Sequence, residues 1–274
     1  MSHSYVIAFE SQIVNMEKKL SLSEIKVIEI EILDWIVSIC DKHNLTYYLS
    51  YGSLLGAVRH GGFIPWDDDV DISMPRKDYE KFLDIVESIN DKRFKALSPR
   101  IREYPYHYIK VVDKTTRIVE LEIDNYPDMG LWVDIFPLDN MRSNRRTTYK
   151  KIAEYLNAFR AAATYRVCPK KHKGKEWQWK ICRLFGFRVF RDLLCKLVVK
   201  YNSETTDFIG HVPDPISYIY PSYIFNDKTV VKFEGKEYTA PSLIHEYLTI
   251  TYGDYMKLPP ESERQNHCVD AYRK

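Results

Sequence analysis

Cysteine and glycine are both scarce in this chain of 274 residues, which contains 5 Cys, 10 Gly and 13 Pro. The cysteines stand at positions 40, 168, 182, 195 and 268, and no two of them have a Cys-x-x-Cys spacing. An odd and scattered set argues against a disulfide framework and a structural zinc knuckle, and it favours a reducing compartment. The low glycine and proline contents exclude collagen-like and low-complexity chains.

Long hydrophobic runs are also missing. No stretch of about 18 residues is both apolar and uncharged, so we expect no transmembrane helix. The first residues, MSHSYVIAFESQIVNMEKK, lack a basic region followed by an apolar core, so we expect no signal peptide and a cytoplasmic protein. Hydrophobic residues (45%) and charged residues (28%) are at ordinary levels for a globular protein of one large domain or two closely packed ones.

Charge is unevenly distributed along the chain, although the net charge is only +2. Residues 142–200 contain 17 Lys and Arg but only 3 Asp and Glu. Such a basic block indicates nucleic acid, an anionic membrane or a phosphorylated substrate as a partner, or else a solvated pair of helices with no ligand. The 21 tyrosines suit a surface that contacts sugars, bases or headgroups. The alternative is a general bias in the amino-acid composition that the genome encodes.

Helical and strand patterns alternate over the first 141 residues. Ser21 and Glu24 form a capping box, and apolar residues at helical spacing then continue to about His43. A strand over 46–51 precedes a short helix over 53–60, which the glycines at 61 and 62 end. The pattern next predicts a strand over 69–74, a helix from Pro75, and short strands near 94–98, 107–113, 117–122 and 130–136.

The rest of the chain has a different character. Two helices are expected over 143–168 and 175–201, joined by a basic loop over 169–175. Residues 202–228 are rich in loops, and a hairpin over 229–233 and 236–239 precedes a final helix from Pro241 to Gly253. These changes predict three parts: a catalytic core over 1–141, a basic helical segment over 142–228, and a hairpin and helix over 229–274 that pack back on the core.

An acidic run, Trp66-Asp-Asp-Asp-Val-Asp71, contains four carboxylates within five residues. On a strand, Asp67, Asp69 and Asp71 would share one face, and carboxylates so placed can hold Mg²⁺ or Mn²⁺. Asp134, the one charge in an apolar strand, is the candidate ligand from a neighbouring strand. An exposed acidic turn is the alternative, whereas a calcium loop lacks its glycine at the sixth position and its glutamate at the twelfth.

The glycine–serine pair at 52 and 53, followed by this acidic run, resembles the nucleotidyltransferase fold of the polymerase β type. In that fold three carboxylates on a mixed sheet hold two metal ions. The whole run from Tyr51 to Asp71 resembles the signature of the LicD family, which includes bacterial phosphocholine transferases and is related to fukutin. Further matching blocks lie at 110–115, 132–139 and 252–260, whereas 142–200 contains no motif that we can place.

The resemblance implies an α+β, nucleotidyltransferase-like mixed sheet with flanking helices, plus a mostly helical basic segment. It implies the transfer of phosphocholine from CDP-choline to a sugar hydroxyl of a cell-surface glycan precursor, such as teichoic acid, lipopolysaccharide or capsule. Asp69 and Asp71 would bind magnesium, with manganese as the alternative and two ions expected. Asp134 would bind the catalytic ion and receive the proton, and Asp67 would be a further ligand.

Seven residues are expected to contact the substrate: Gly52, Ser53, Arg59, His60, Lys110, Arg264 and His267. A guanidinium such as that of Arg59 can hold a donor phosphate with two hydrogen bonds, but a pair with Asp67 or Asp68 is an equal alternative. A structural ion pair is likewise the alternative for Lys110, and capping is the alternative for the two residues near the C-terminus.

Other partners remain open at this point. The transferred alcohol could be ribitol, glycerol or ethanolamine instead of choline, and the glycan acceptor could be free or lipid-linked. A nucleotidyltransferase that acts on nucleic acid is a further alternative, although the chain shows no RNA-binding module. The predicted helix over 175–201 has an apolar face of Ile181, Leu184, Phe185, Leu194, Leu197 and Val198 and a surround of Lys180, Arg183, Arg188, Arg191, Lys196 and Lys200. It suits peripheral contact with an anionic membrane, or packing on the first lobe.

Overall fold

A computed structural model describes residues 18–119, 123, 126, 128–166, 168, 174, 176–264 and 270–274. The helices of these residues are α1 (Leu22–His43), α2 (Tyr51–His60), α3 (Arg76–Ser88), α4 (Thr148–Thr164), α5 (Glu176–Phe185), α6 (Phe187–Val198) and α7 (Ile244–Tyr252). The strands are β1 (Lys18–Lys19), β2 (Tyr48–Leu49), β3 (Val70–Pro75), β4 (Phe94–Leu97), β5 (Ile109–Asp113), β6 (Thr116–Val119), β7 (Trp132–Met141), β8 (Phe208–Gly210), β9 (Ile219–Pro221), β10 (Lys228–Phe233), β11 (Lys236–Pro241) and β12 (Asp270–Arg273).

The central sheet is mixed, as expected for an α+β chain. Its strands lie in the order β2-β3-β7-β5-β4, and β8 and β9 extend it from the far end of β7. Only β3 and β7 pair in parallel among these strands, and their register places Asp71 opposite Asp134. On the other side of β7, Lys110 of β5 stands opposite the same aspartate. Since neighbours in register project from the same face of a sheet, three charged side chains meet at the sheet centre.

Helix α1 confirms the sequence prediction for its start. The Glu24 amide donates to Ser21 Oγ at 3.3 Å, and the Ser21 amide donates to Glu24 Oε2 at 2.9 Å, which is a capping box. Asn44 ends the helix in the left-handed conformation. The apolar face of α1 is buried in the main core, with its isoleucines at 25, 28, 32, 36 and 39.

Two local expectations around the acidic run are wrong. The strand expected over 46–51 is reduced to Tyr48–Leu49, because α2 begins early, at Tyr51, in a backbone conformation with φ of 48°. Strand β3 begins only at Val70, so Asp67 and Asp69 lie in the connection before it. The three carboxylates therefore do not share one strand face; a turn presents two of them and a strand presents Asp71.

The basic segment also differs from its prediction. The helix expected over 175–201 is interrupted at Gly186, whose φ of 75° suits glycine, so that α5 and α6 are separate helices. Helices α4 and α6 pack together over a small core that includes Ala153, Leu194 and Val198. Most of the expected basic loop over 169–175 lies outside the described residues, and the boundary between a catalytic core and a basic segment stays a prediction.

The C-terminal hairpin and helix belong to the main core. Strands β10 and β11 form the expected hairpin, and its Phe233 and Tyr238 are buried in the same core as Tyr247 of α7. A small separate sheet of β1, β12 and β6 joins the two ends of the described chain. Strand β6 ends at Val119, and the remainder of the strand expected over 117–122 lies outside the described residues.

The position of the acidic run depends on a close backbone contact at Gly56 of α2. A Cβ atom there would lie 2.4 Å from the Gly62 carbonyl oxygen and 3.1 Å from the Ile64 amide nitrogen. This contact holds the returning chain against α2 just before the carboxylates.

We expect Gly56→Ala to lower the free energy of unfolding by about 1–3 kcal/mol, because backbone atoms cannot move aside as a flexible side chain can. Val58→Ala, on the exposed side of the same helix, is the matched control and should change it by less than about 0.5 kcal/mol. Urea unfolding measures both. Equal midpoints for the two variants would show that the contact is not tight.

Candidate active site

A cavity of about 510 Å³ opens beside the start of β3. Its walls come from the first turn of α2, the acidic run, β7, α4 and the loop that follows β8. The lining residues are Tyr51, Gly52, Asp67, Asp69, Asp71, His107, Tyr108, Phe136, Asn157, Arg160, His211, Asp214, Pro215, Tyr218 and Tyr252. This volume suits a ligand of the size of a nucleotide or a small drug molecule.

One wall of the cavity is acidic. Asp67, Asp69 and Asp71 all line it, and they come from a turn and a strand; their binding of a metal stays a prediction. Burial raises the pKa of Asp71 well above its ordinary value, and repulsion from Asp69, Asp134 and Asp67 raises it further. A positive charge placed at this wall would therefore stabilise the ionised carboxylates.

Gly52 and Ser53 position this wall. The Asp71 amide donates to Ser53 Oγ at 2.8 Å, so the buried hydroxyl fixes the start of β3. A Cβ atom on Gly52 would come within 2.9 Å of Asp67 Oδ2, and the absent side chain therefore leaves room for that carboxylate. Gly52 lines the cavity; direct contact of Ser53 with a substrate stays a prediction.

Asp134 and Lys110 lie behind the acidic wall and are not among the residues that line the cavity. The Lys110 ammonium is 2.6 Å and 2.9 Å from the two oxygens of Asp134, and Trp132 Nε1 donates to Oδ2 at 3.1 Å. The ammonium also lies over the Trp132 ring, 4.1 Å from its centroid. Both charged residues are buried, so the geometry matches the structural ion pair that was the alternative for Lys110. Its contact with a phosphate and the metal-binding role of Asp134 stay predictions.

The acidic wall fits a hard divalent cation in the chemistry of its donors. Within the described ranges, no three His, Cys, Asp or Glu side chains form a metal-binding group by themselves. Mg²⁺, however, usually takes one or two carboxylates together with substrate phosphates and water. Asp69 and Asp71 supply that number, and their mutual repulsion gives the physical reason to bind a cation.

Aromatic rings form a second wall. Tyr51 stands edge-on to Phe136 and to Tyr218, with centroid distances of 5.2 Å and 5.1 Å. The ring of Tyr108 lies 4.5 Å from that of Phe136. Several aromatic faces around one space are the usual setting for a quaternary ammonium group. Trp66 is not part of this wall; the guanidinium of Arg264 lies over its ring, 4.8 Å from the centroid.

A third wall contains histidines and an arginine. The His107 and His211 rings are stacked, with their Nε2 atoms 3.1 Å apart, so one nitrogen must donate and the other accept. Burial and the neighbouring His211 lower the pKa of His107 well below its ordinary value. His211 Nδ1 lies 2.8 Å from Asp214 Oδ2. The buried Arg160 is held by Asn157 Oδ1 and the Pro105 carbonyl, both at 3.0 Å.

The remaining predicted contacts lie elsewhere. Arg59 donates to the Tyr255 carbonyl at 2.9 Å and to His60 at 3.0 Å, and Arg264 donates to the Pro259 carbonyl at 3.1 Å. None of these three is among the cavity-lining residues, and their contact with a substrate stays a prediction. His267 lies outside the described residues.

The sequence signalled neither the third wall nor most of the second. His107, Arg160 and the neighbouring residues His211 and Asp214 come from three distant parts of the chain and belong to no short motif. The one sign of these residues in the sequence is that each is a polar residue in an apolar stretch. Arg160, for example, is a charged residue among the buried positions of α4. Only the packing of α4 and the loop after β8 against the sheet brings them together.

The chain is similar in sequence to proteins of one known family. The model of the family described as LicD/FKTN/FKRP, nucleotidyltransferase domain, matches residues 44–169. The lipopolysaccharide cholinephosphotransferase LicD of Haemophilus influenzae is 31% identical over 268 residues, which cover 93% of this chain and 99% of that protein. The chain belongs to the LicD family. The matched range includes the acidic wall, Asp134, Lys110 and Arg160.

More distant members of the family match shorter parts of the chain. The human ribitol 5-phosphate transferase FKRP is 30% identical over 98 residues, which are 36% of this chain and 18% of FKRP. An uncharacterized protein of Rickettsia typhi is 27% identical over 162 residues, covering 54% of this chain and 51% of that protein. The family therefore includes relatives named for the transfer of two different phospho-alcohols.

The ion pair behind the acidic wall leads to a prediction about stability. We expect Lys110→Met to lower the free energy of unfolding by about 3–5 kcal/mol, because Asp134 would be left buried beside Asp71 without its cation. Lys95→Met is the matched control: its pair with Asp128 spans 2.7 Å but is exposed, and its loss should cost less than about 1 kcal/mol. Urea unfolding of both variants makes the comparison. A Lys110→Met protein as stable as the control would exclude a structural role.

Proposed function

We propose that this LicD-family chain is a metal-dependent transferase that moves phosphocholine from CDP-choline to a sugar hydroxyl of a cell-surface glycan. The observation that supports this most strongly is the meeting of the acidic wall and the aromatic wall in one cavity. A CDP-alcohol contains a diphosphate and a small alcohol, and choline adds a permanent positive charge. The similarity to the Haemophilus cholinephosphotransferase over nearly the full length supports the same donor.

The acidic wall serves the phosphate part of the donor. We infer that Asp69 and Asp71 hold Mg²⁺, with Mn²⁺ as the alternative, and that Asp67 and Asp134 are further candidate ligands for one or two ions. When bound, the metal neutralises charge on the transferring phosphoryl group. Arg160, held by Asn157 and the Pro105 carbonyl, also lines the cavity and supplies a guanidinium for the diphosphate. The parallel pair of β3 and β7 supports a nucleotidyltransferase fold of the polymerase β type.

The aromatic wall serves the choline part. The rings of Tyr51, Tyr108, Phe136 and Tyr218 line the cavity and contact one another. A trimethylammonium group is poorly hydrated at its methyl groups and is attracted to such faces. Ribitol has many hydroxyl groups and no charge, so an aromatic wall suits it less well. This contrast favours choline over ribitol and glycerol for the transferred alcohol, whereas ethanolamine, which also has a positive charge, stays the alternative.

The reaction is a displacement at one phosphorus atom. The acceptor hydroxyl oxygen forms a bond to the phosphorus that bears choline, the bond from that phosphorus to the bridging oxygen breaks, and CMP leaves with that oxygen. The hydroxyl proton needs an acceptor. The two ring nitrogens of His211 are engaged by Asp214 and His107, so Asp214, a carboxylate that lines the cavity, is the candidate for this role. Proton transfer to Asp134 stays a prediction, and its bonds to Lys110 and Trp132 make Asp214 the better candidate.

The carboxylate assignment is tested by a pair of neighbouring substitutions. We expect Asp71→Asn to lower kcat by at least about a hundredfold, because metal-held charge stabilisation contributes several kcal/mol to such a transition state. Its melting temperature without metal should be unchanged or higher, since repulsion at the acidic wall falls. Asp68→Asn is the matched control, because Asp68 belongs to the same run but does not line the cavity. Equal rates for both variants would contradict the assignment.

The aromatic assignment is tested with ligands that share the cytidine part. We expect Phe136→Leu or Tyr218→Leu to raise the Kd of CDP-choline roughly tenfold, the amount that a lost cation–π contact explains. The Kd of CMP should remain within about twofold, because CMP has no ammonium group. Titration calorimetry in the presence of Mg²⁺ measures both ligands. A parallel weakening of CMP would mean that these rings hold the nucleotide or the fold instead.

A further inference from the structure

Helices α5 and α6 present large apolar side chains to solvent around the turn that joins them. The exposed fraction is 84% for Leu184, 60% for Phe185 and 61% for Trp177. We use the name apolar ridge for these and the neighbouring exposed apolar residues, namely Trp177, Ile181, Leu184, Phe185, Val189 and Leu193. Soluble monomers rarely leave so many large apolar side chains together in water without a partner.

The spacing of the apolar ridge residues along α5 and α6 places them on the outer faces of these helices. Trp177, Ile181 and Leu184 follow at spacings of four and three along α5, while Cys182 points inward and is buried. Val189 and Leu193 are one turn apart on the outer side of α6. The inner side of α6 is formed by Arg191, Leu194 and Val198. The apolar residues expected on one face of a single helix are thus divided between a core face and an exposed face.

A row of aromatic rings extends the apolar ridge onto α4. The Phe185 ring lies 6.4 Å from that of Phe190, which lies 5.6 Å from Phe159. Phe159 is in turn 6.3 Å from Tyr155, and these last two side chains are 41% and 56% exposed. The exposed apolar surface is therefore continuous over three helices.

Basic residues border this surface. Lys180, Arg188 and Lys196 are exposed beside the ridge, and residues 176–200 contain six Lys and Arg against two acidic residues. Arg191, which the sequence placed among the solvated cations, is buried and donates to the carbonyls of Ile101 and Arg102 at 2.9 Å and 3.3 Å. With Arg191 buried, the exposed charged residues of 176–200 are five basic and two acidic, so the border of the ridge has a positive excess.

We propose that the apolar ridge binds the surface of an anionic phospholipid bilayer. Apolar side chains at the boundary of headgroups and acyl chains, bordered by basic residues, form the standard design of an interfacial helix. Each basic residue near an anionic surface contributes roughly 1 kcal/mol, and this contribution falls with salt. A protein partner would have to match both the large apolar area and the positive border, which an anionic bilayer does without any specific shape. This inference is independent of the proposed transferase activity.

No helix in the described part of the chain has both the length and the apolar character needed to cross a bilayer.

The test is co-sedimentation of the full chain with vesicles of phosphatidylglycerol and of phosphatidylcholine, at low and at high salt. We expect binding to phosphatidylglycerol at low salt, with at least about a tenfold loss at high salt. Leu184→Asn with Phe185→Asn should lower binding at least fivefold by removing the apolar contact, on the order of 1 kcal/mol. Lys180→Glu with Arg188→Glu and Lys196→Glu should abolish it. Arg191 is left unchanged because its burial makes it part of the fold.

Matched controls distinguish binding through the apolar ridge from nonspecific adsorption through any exposed apolar side chain. Val27 and Val230 are 59% and 57% exposed but lie on α1 and on the hairpin, so Val27→Asn with Val230→Asn should bind as the wild type does. Melting curves of all variants confirm that they fold. The proposal is wrong if the wild type does not bind phosphatidylglycerol vesicles at low salt. It is equally wrong if Leu184→Asn with Phe185→Asn binds them as tightly as Val27→Asn with Val230→Asn. It is also wrong if ultracentrifugation shows a dimer that only the ridge variant dissociates while vesicles bind none of the proteins.

Discussion

Two carboxylates meet across the parallel strands β3 and β7, and the site depends on how their repulsion is relieved. Asp71 and Asp134 stand in register, and both are close to the core of the sheet. Lys110 neutralises Asp134 from the opposite side, which leaves Asp71 facing the cavity with Asp67 and Asp69 as its neighbours. The fold thus compensates one carboxylate internally and directs the excess negative charge towards a cavity, where a cation or a cationic substrate can bind.

This arrangement explains why one cavity has walls of different chemistry. The sheet supplies acid, because the backbone register and the returning loop after α2 bring three aspartates to one point. Helix α4 supplies the guanidinium of Arg160, and the loop after β8 supplies His211 and Asp214. Aromatic rings line the same cavity. A donor that joins a diphosphate to an alcohol with a quaternary ammonium complements these groups together.

Local patterns predicted the elements that depend on neighbouring residues. The capping box at Ser21, the turn glycine at position 61 and the hairpin near Glu234 all lie where the sequence placed them, because each needs only a few adjacent residues. The acidic residues of the site were also predictable, since an unbalanced run of charge is visible in the sequence. The break at Gly186, the burial of Arg191 and the approach of His211 to His107 were not, because tertiary packing decides them.

The central claim is that one cavity recognises a CDP-alcohol through its phosphates and through a quaternary ammonium. The most direct measurement is phosphorus NMR of the purified chain with Mg²⁺, a lipopolysaccharide acceptor that lacks phosphocholine, and equal amounts of CDP-choline and CDP-ribitol. The account predicts that CMP appears in step with a phosphodiester on the glycan, and that choline is the alcohol transferred. Transfer of ribitol in preference to choline, or release of diphosphate from CTP in place of CMP from either donor, would contradict it.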